Sequence, residues 1–135
     1  MHAHSHTTRR TLHLLTAAGA MTVALTATGQ PVAEAHTAAQ KQAYKDYEAS
    51  QFRSAAQFDC LDLLWEAESN WHPTAQNPTS TAYGITQFID ATWATTGIAK
   101  TSDPYLQIDA GLIYIDERYG TACDAWDFHQ ANNWY

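Results

Sequence analysis

Positive charge is scarce in this 135-residue chain: seven Lys and Arg stand against 14 Asp and Glu, a formal net charge of −7. No basic patch forms anywhere along it, which excludes a nucleic-acid partner and disfavours an anionic membrane surface. An anionic polymer would have to be recognised in a groove rather than captured by long-range attraction. Long apolar runs are missing as well. Leu12 to Leu25 is rich in Leu and Ala, but Thr and His interrupt it and it is short for a membrane span. Beyond Ala35 only His36, His72 and His129 remain, without ligand spacing, so no metal and no other cofactor is expected. Cysteine occurs only at Cys60 and Cys123.

What is present at the N-terminus has an order. A polar segment ends in Arg9-Arg10, the apolar run follows, and Ala33-Glu34-Ala35 offers a small-x-small cleavage site. That order predicts a secretory signal peptide over 1–35, cut after Ala35, and an extracellular, cell-wall-associated protein. The paired arginines leave the Sec and twin-arginine routes both open. His2, His4 and His6 alternate like a metal tract but belong to the segment that is removed. Loss of Arg9, Arg10 and Glu34 leaves the rest one unit more acidic. Residues 36–57 are rich in Ala and Gln without Pro or Gly, which predicts a helix. That segment either packs on the domain through Tyr44, Tyr47 and Phe52 or serves as a spacer. Residues 58–135 suffice for one domain.

The chain is organised around Cys60 to Trp71. At 3.6 residues per turn Phe58, Leu61, Leu64 and Trp65 share a face, and Glu68 falls in the same stripe. Asp62 and Glu66 are expected to point to water. A carboxylate on a buried face is desolvated, which raises its pKa towards what a general acid needs near neutrality. The competing reading is a rim carboxylate paired with a basic side chain. Pro73 is expected to end the helix within a turn of Glu68.

The run Leu64-Trp65-x-x-Glu68-Ser69-Asn70-Trp71-x-Pro73-x-Ala75-x-Asn77-Pro78, followed by Ala82-Tyr83-Gly84-Ile85-x-Gln87-Phe88, resembles the lytic transglycosylases of the soluble-transglycosylase type. In that family a Glu-Ser pair closes the catalytic helix and a Gly-hydrophobic-x-Gln segment follows. The resemblance runs from about Phe58 to Tyr135. It implies a mainly α, α+β lysozyme-like fold with a short loop or hairpin lining the cleft. It also implies cleavage of peptidoglycan glycan strands by a single acid/base, Glu68, to give 1,6-anhydro ends. Ser69, Tyr83, Gly84, Ile85 and Gln87 become substrate-binding candidates. Gly84 is expected to let backbone approach a sugar ring, and Gln87 to exchange hydrogen bonds with its polar groups.

Further along, Asp90 is expected to cap a short helix that contains Trp93 and stops at Gly97. Asp103-Pro104 opens the longest regular helix, with Tyr105, Ile108, Leu112, Ile115 and Tyr119 as its core stripe and Gly120 as its end. Tyr114 lies off that stripe and is a cleft candidate. Asp116, Glu117 and Arg118 read as a solvated turn without chemistry. Two cysteines in an exported chain suggest one disulfide, Cys60–Cys123, against two free buried thiols. The tail from Ala125 to Tyr135 does not carry the family's usual third motif and resembles a compact secreted bacterial subgroup ending in Trp-Tyr. His129, Trp134 and Tyr135 are substrate-contact candidates there. A monomer is expected. Two other functions compete: a lysozyme-type hydrolase, with Asp90 as second carboxylate, and a wall-binding or aggregation module without turnover.

Overall fold

The computed structural model describes residues 29–135, with side chains from Ala38 onward. The leader expected over 1–35 lies outside the described residues, except for a helical backbone from Gly29. Five helices follow in order: α1 (Gly29–Ala49), α2 (Ala55–Ser69), α3 (Asp90–Thr95), α4 (Pro104–Tyr119) and α5 (Ala122–Asn132). Between α2 and α3 the chain forms an irregular loop with only isolated bridges, Gln76 to Tyr83 and Tyr83 to Phe88. The result is a mainly helical domain. No described helix is long and apolar enough to cross a membrane.

Helix α2 is the central element. Leu61, Leu64 and Trp65 are fully buried on the face its periodicity predicts, and such side chains contribute about 2 kcal/mol each. Its end is set earlier than Pro73. Asn70 and Trp71 both take left-handed conformations, and their N–H groups donate to the Glu66 and Trp65 carbonyls. These two hydrogen bonds satisfy two carbonyls of the last turn, and Asn tolerates the positive φ. Trp71 then folds back edge-on against Trp65, at 5.1 Å, and donates from Nε1 to Asp62.

The face of α2 expected to be wet is partly covered. Lys45 of α1 reaches Asp62 at 2.6 Å and Glu66 at 2.7 Å, and Lys41 pairs with Glu66 as well. Burial acts to raise the Glu66 carboxyl, but the two ammonium groups bonded to it prevail and hold it below its usual range. Tyr44 and Tyr47 of α1 pack on the core, edge-on to Tyr105 of α4. The helix expected over 36–57 is broken at 50–54, because α1 must turn back to lie on α2. Ser50 assists by donating its hydroxyl to the Tyr47 carbonyl, in competition with the helical ladder.

Helix α4 starts as its sequence predicts: Asp103 accepts from the N–H groups of Tyr105 and Leu106, and Pro104 occupies the first turn. Its buried face is wider than the aliphatic stripe and shifted from it. Tyr105 is exposed, whereas Gln107, Ala110, Gly111 and Tyr114 are buried. Gly111 lets α4 touch α2, since a Cβ there would lie 2.4 Å from the Trp65 ring. Asp90 is the first residue of α3 rather than its cap, and Ile89 holds the cap position. Cys60 and Cys123 form a disulfide with Cα atoms 5.0 Å apart, binding α2 to the first turn of α5.

Candidate functional site

Glu68 stands on the last turn of α2 at the wall of a cleft of about 350 Å³. α2 carries it there because the stripe that buries Leu61, Leu64 and Trp65 emerges at its C-terminal end. The other walls come from the loop after α2 (Thr86 to Ile89), from α3 (Thr92), from α4 (Tyr114, Arg118) and from the tail (Asn133 to Tyr135). Glu68 is the one side-chain carboxylate in this lining. Its side chain is 17% exposed, and burial pushes its carboxyl up to about 7. His129 Nε2 of α5 lies 3.2 Å from Glu68 Oε1. Burial pushes that imidazole down, so desolvation shifts both groups towards their neutral forms. His129 is held flat against Trp126, with ring centroids 5.4 Å apart.

The second motif is fastened mostly to the protein itself. The Ser69 hydroxyl donates to the Ile85 carbonyl at 2.7 Å, tying the end of α2 to the loop. Ile85 is fully buried, and its N–H donates to Gln107 Oε1 at 2.8 Å. Gln107 Nε2 donates in turn to the carbonyls of Pro73 and Thr101, each at 2.8 Å. Gly84 has a reason other than a sugar: at φ +78°, a Cβ would lie 2.5 Å from the Gln107 amide. Gln87 lines the cleft, but its Nε2 donates to the Ala75 and Gly84 carbonyls and closes the loop on itself.

The candidates therefore separate into two groups, with Tyr83 apart from both. Glu68, Gln87, Tyr114, Trp134 and Tyr135 line one cleft, with His129 against the acid. Ser69, Gly84 and Ile85 lie behind it as fastenings. Tyr83 shares a hydrogen bond with Ser102 at 2.8 Å, takes Lys100 over its ring, and is absent from the cleft lining. Tyr135 is half-buried, donating to the Thr86 carbonyl and accepting from Trp65 Nε1 at 2.9 Å. Burial, and then the nearby Glu68 charge, hold its phenol well above the usual range. Asp90 lies elsewhere, exposed and paired with Lys100 at 2.7 Å.

Residues 116–118 are exposed, as expected, but Arg118 also touches the cleft. Its guanidinium lies 5.0 Å from the Trp134 ring and 5.6 Å from the Tyr114 ring, and Nη1 donates to the Tyr114 hydroxyl at 2.8 Å. The available signal was the four-residue spacing between Tyr114 and Arg118 on one helix face. Thr86 was also missed. It is buried in the cleft wall, and its hydroxyl has no hydrogen-bond partner among the described residues. Nothing in its local pattern distinguishes it.

The family model described as the transglycosylase SLT domain matches residues 42–133. No curated protein and no solved structure matches the chain.

Proposed function

The chain belongs to the transglycosylase SLT domain family, and on that premise we propose that it is an exported peptidoglycan lytic transglycosylase with Glu68 as its single acid and base. The observation that carries this reading is a desolvated carboxyl, raised to about 7 and unaccompanied by a second side-chain carboxylate in its cleft. Hydrolysis by the usual pair of carboxylates needs a partner that this cleft does not offer. A group that gives up a proton and takes one back within a single turnover needs only itself, provided its pKa is close to the working pH.

In the proposed sequence Glu68 donates its proton to the oxygen that joins N-acetylmuramic acid to N-acetylglucosamine. The bond from the anomeric carbon to that oxygen breaks, and the muramyl acetamido group stabilises the cation that develops. Glu68, now a carboxylate, removes the proton of the muramyl 6-hydroxyl. That oxygen bonds to the anomeric carbon, giving the 1,6-anhydro end and restoring the acid. Trp134, half exposed at the cleft, offers an aromatic face to a sugar ring. His129 Nε2 lies against Glu68 Oε1, and Tyr135 supports the loop through Thr86.

Mass analysis of digested peptidoglycan tests the proposal. Anhydro-muramyl ends are expected from the unaltered protein, with cleavage lost by about 10³-fold in Glu68→Gln. Reducing ends would make the protein a hydrolase. An absence of cleavage by a folded protein would make it a wall-binding module.

A further inference from the structure

Each lysine with a described side chain has a carboxylate partner: Lys41 with Glu66, Lys45 with Asp62 and Glu66, Lys100 with Asp90. Arg118 differs. Among the described residues no carboxylate pairs with it, and it is the one cationic side chain in the lining of the Glu68 cleft. Its guanidinium is set among aromatic rings, 5.0 Å from Trp134, 5.4 Å from Tyr119 and 5.6 Å from Tyr114. These faces attract the cation and fix its plane without using its N–H groups. A guanidinium presents five such donors in a rigid fork, and Tyr114 Oη takes one, at Nη1. A planar cation with donors to spare suits a carboxylate, which accepts two parallel hydrogen bonds. The chain is strongly acidic as a whole, so an anionic ligand gains nothing from long-range attraction and must be rewarded at contact.

We propose that Arg118 reads a carboxylate of the glycan substrate, and that this contact makes the cleft prefer acidic muramyl glycans to neutral N-acetylglucosamine polymers. The inference rests on the reading of the Glu68 cleft as a glycan site. Two groups can supply the carboxylate. One is the lactyl ether of a muramic residue freed of its peptide, because an attached peptide turns that carboxylate into a neutral amide. The other is a carboxylate of the stem peptide itself. Both would meet the same planar fork.

The test measures binding calorimetrically in the Glu68→Gln protein, which holds glycan without consuming it. Three glycans of equal length serve as probes: a peptide-free muramyl oligosaccharide, the same with stem peptides, and a neutral N-acetylglucosamine oligomer. Adding Arg118→Met should weaken the acidic glycan it reads by about tenfold and leave the neutral oligomer unchanged. Arg118→Lys should recover part of the loss, since it restores the charge but not the fork. Loss confined to the peptide-free glycan assigns the lactyl carboxylate. Loss confined to the peptide-bearing glycan assigns the stem, and loss on both but not on the neutral oligomer also supports the proposal. Equal weakening of all three, or of none, overturns it while leaving the glycan site intact. Should Arg118→Met fail to fold, Arg118→Lys carries the same acidic-against-neutral comparison. If the protein with Arg118 intact binds none of the three glycans, the glycan-site reading falls and this proposal falls with it.

Discussion

Two carboxylates two residues apart on α2 meet opposite electrostatic fates. Glu68 is desolvated without a fixed positive partner and titrates near 7, whereas Glu66 is bonded to two lysines of α1 and held low. Cleavage should therefore fall as pH rises through about 7, where the acid loses its proton, and a pH–rate profile checks this. Glu66→Gln should keep that profile. It should lower stability by about 1 kcal/mol, because its partly exposed ion pairs are screened by solvent; denaturant melts of the two proteins measure the difference. A flat profile for Glu66→Gln, with Glu68→Gln still active, would reverse the assignment.

The helices are joined by polar bolts. Gln107 of α4 answers three backbone groups of two loops and fills the space that Gly84 vacates. Gln107→Ala should cost about 3 kcal/mol, as buried donors and acceptors lose their partners. Thermal melts read the stability, and turnover should drop because the wall opposite Glu68 is no longer held. Helix α1 contributes a bolt of another kind. Glu48 is fully buried, with no partner for either carboxylate oxygen among the described residues, and burial followed by the Asp109 charge pushes it up to about 8. A group whose folded pKa is raised stabilises fully below its unfolded value, and that contribution is lost as pH rises through the folded one. Glu48 and Glu68 both have this sign, pushed from the ordinary carboxyl value of 4.5 towards about 8 and about 7. His129, held low by burial, opposes them at and below 6.5. The melting temperature should therefore decline between about pH 5 and pH 8. Glu48→Gln should flatten most of the upper part of that decline, as melting curves across the range would register.

The molecule as a whole is a small domain closed by one covalent bond. Cys60 and Cys123 lie 63 positions apart in sequence, and closing a loop of that length in the unfolded chain gives about 4 kcal/mol in the chain-entropy model. Cys60→Ser should lower the melting temperature by roughly 10–20 °C. Neither cysteine lines the Glu68 cleft, so cleavage measured well below the melting point should survive. A disulfide suits an oxidising compartment. Export and a start near His36 are testable by N-terminal sequencing of the extracellular protein; retention of Leu12 to Leu25 would exclude the leader.

Local chemistry made α2, α4 and the burial of Glu68 legible. The 3.6-residue spacing of Leu61, Leu64 and Trp65 placed Glu68 on the buried stripe, and Asp103-Pro104 with Gly120 bounded α4, because periodicity and capping act within a few residues. Contacts between segments distant along the chain were beyond such rules. The covering of Asp62 and Glu66 depended on α1 turning back at Ser50 to bring two lysines across. The need for Gly84 came from Gln107, more than twenty residues later. Arg118 is exposed as expected, but its place beside Trp134 and Phe128 came only from the folding of the tail. A side chain's solvation is decided by whatever is packed beside it, and the walls of the Glu68 cleft come from α2, the loop after it, α3, α4 and the tail.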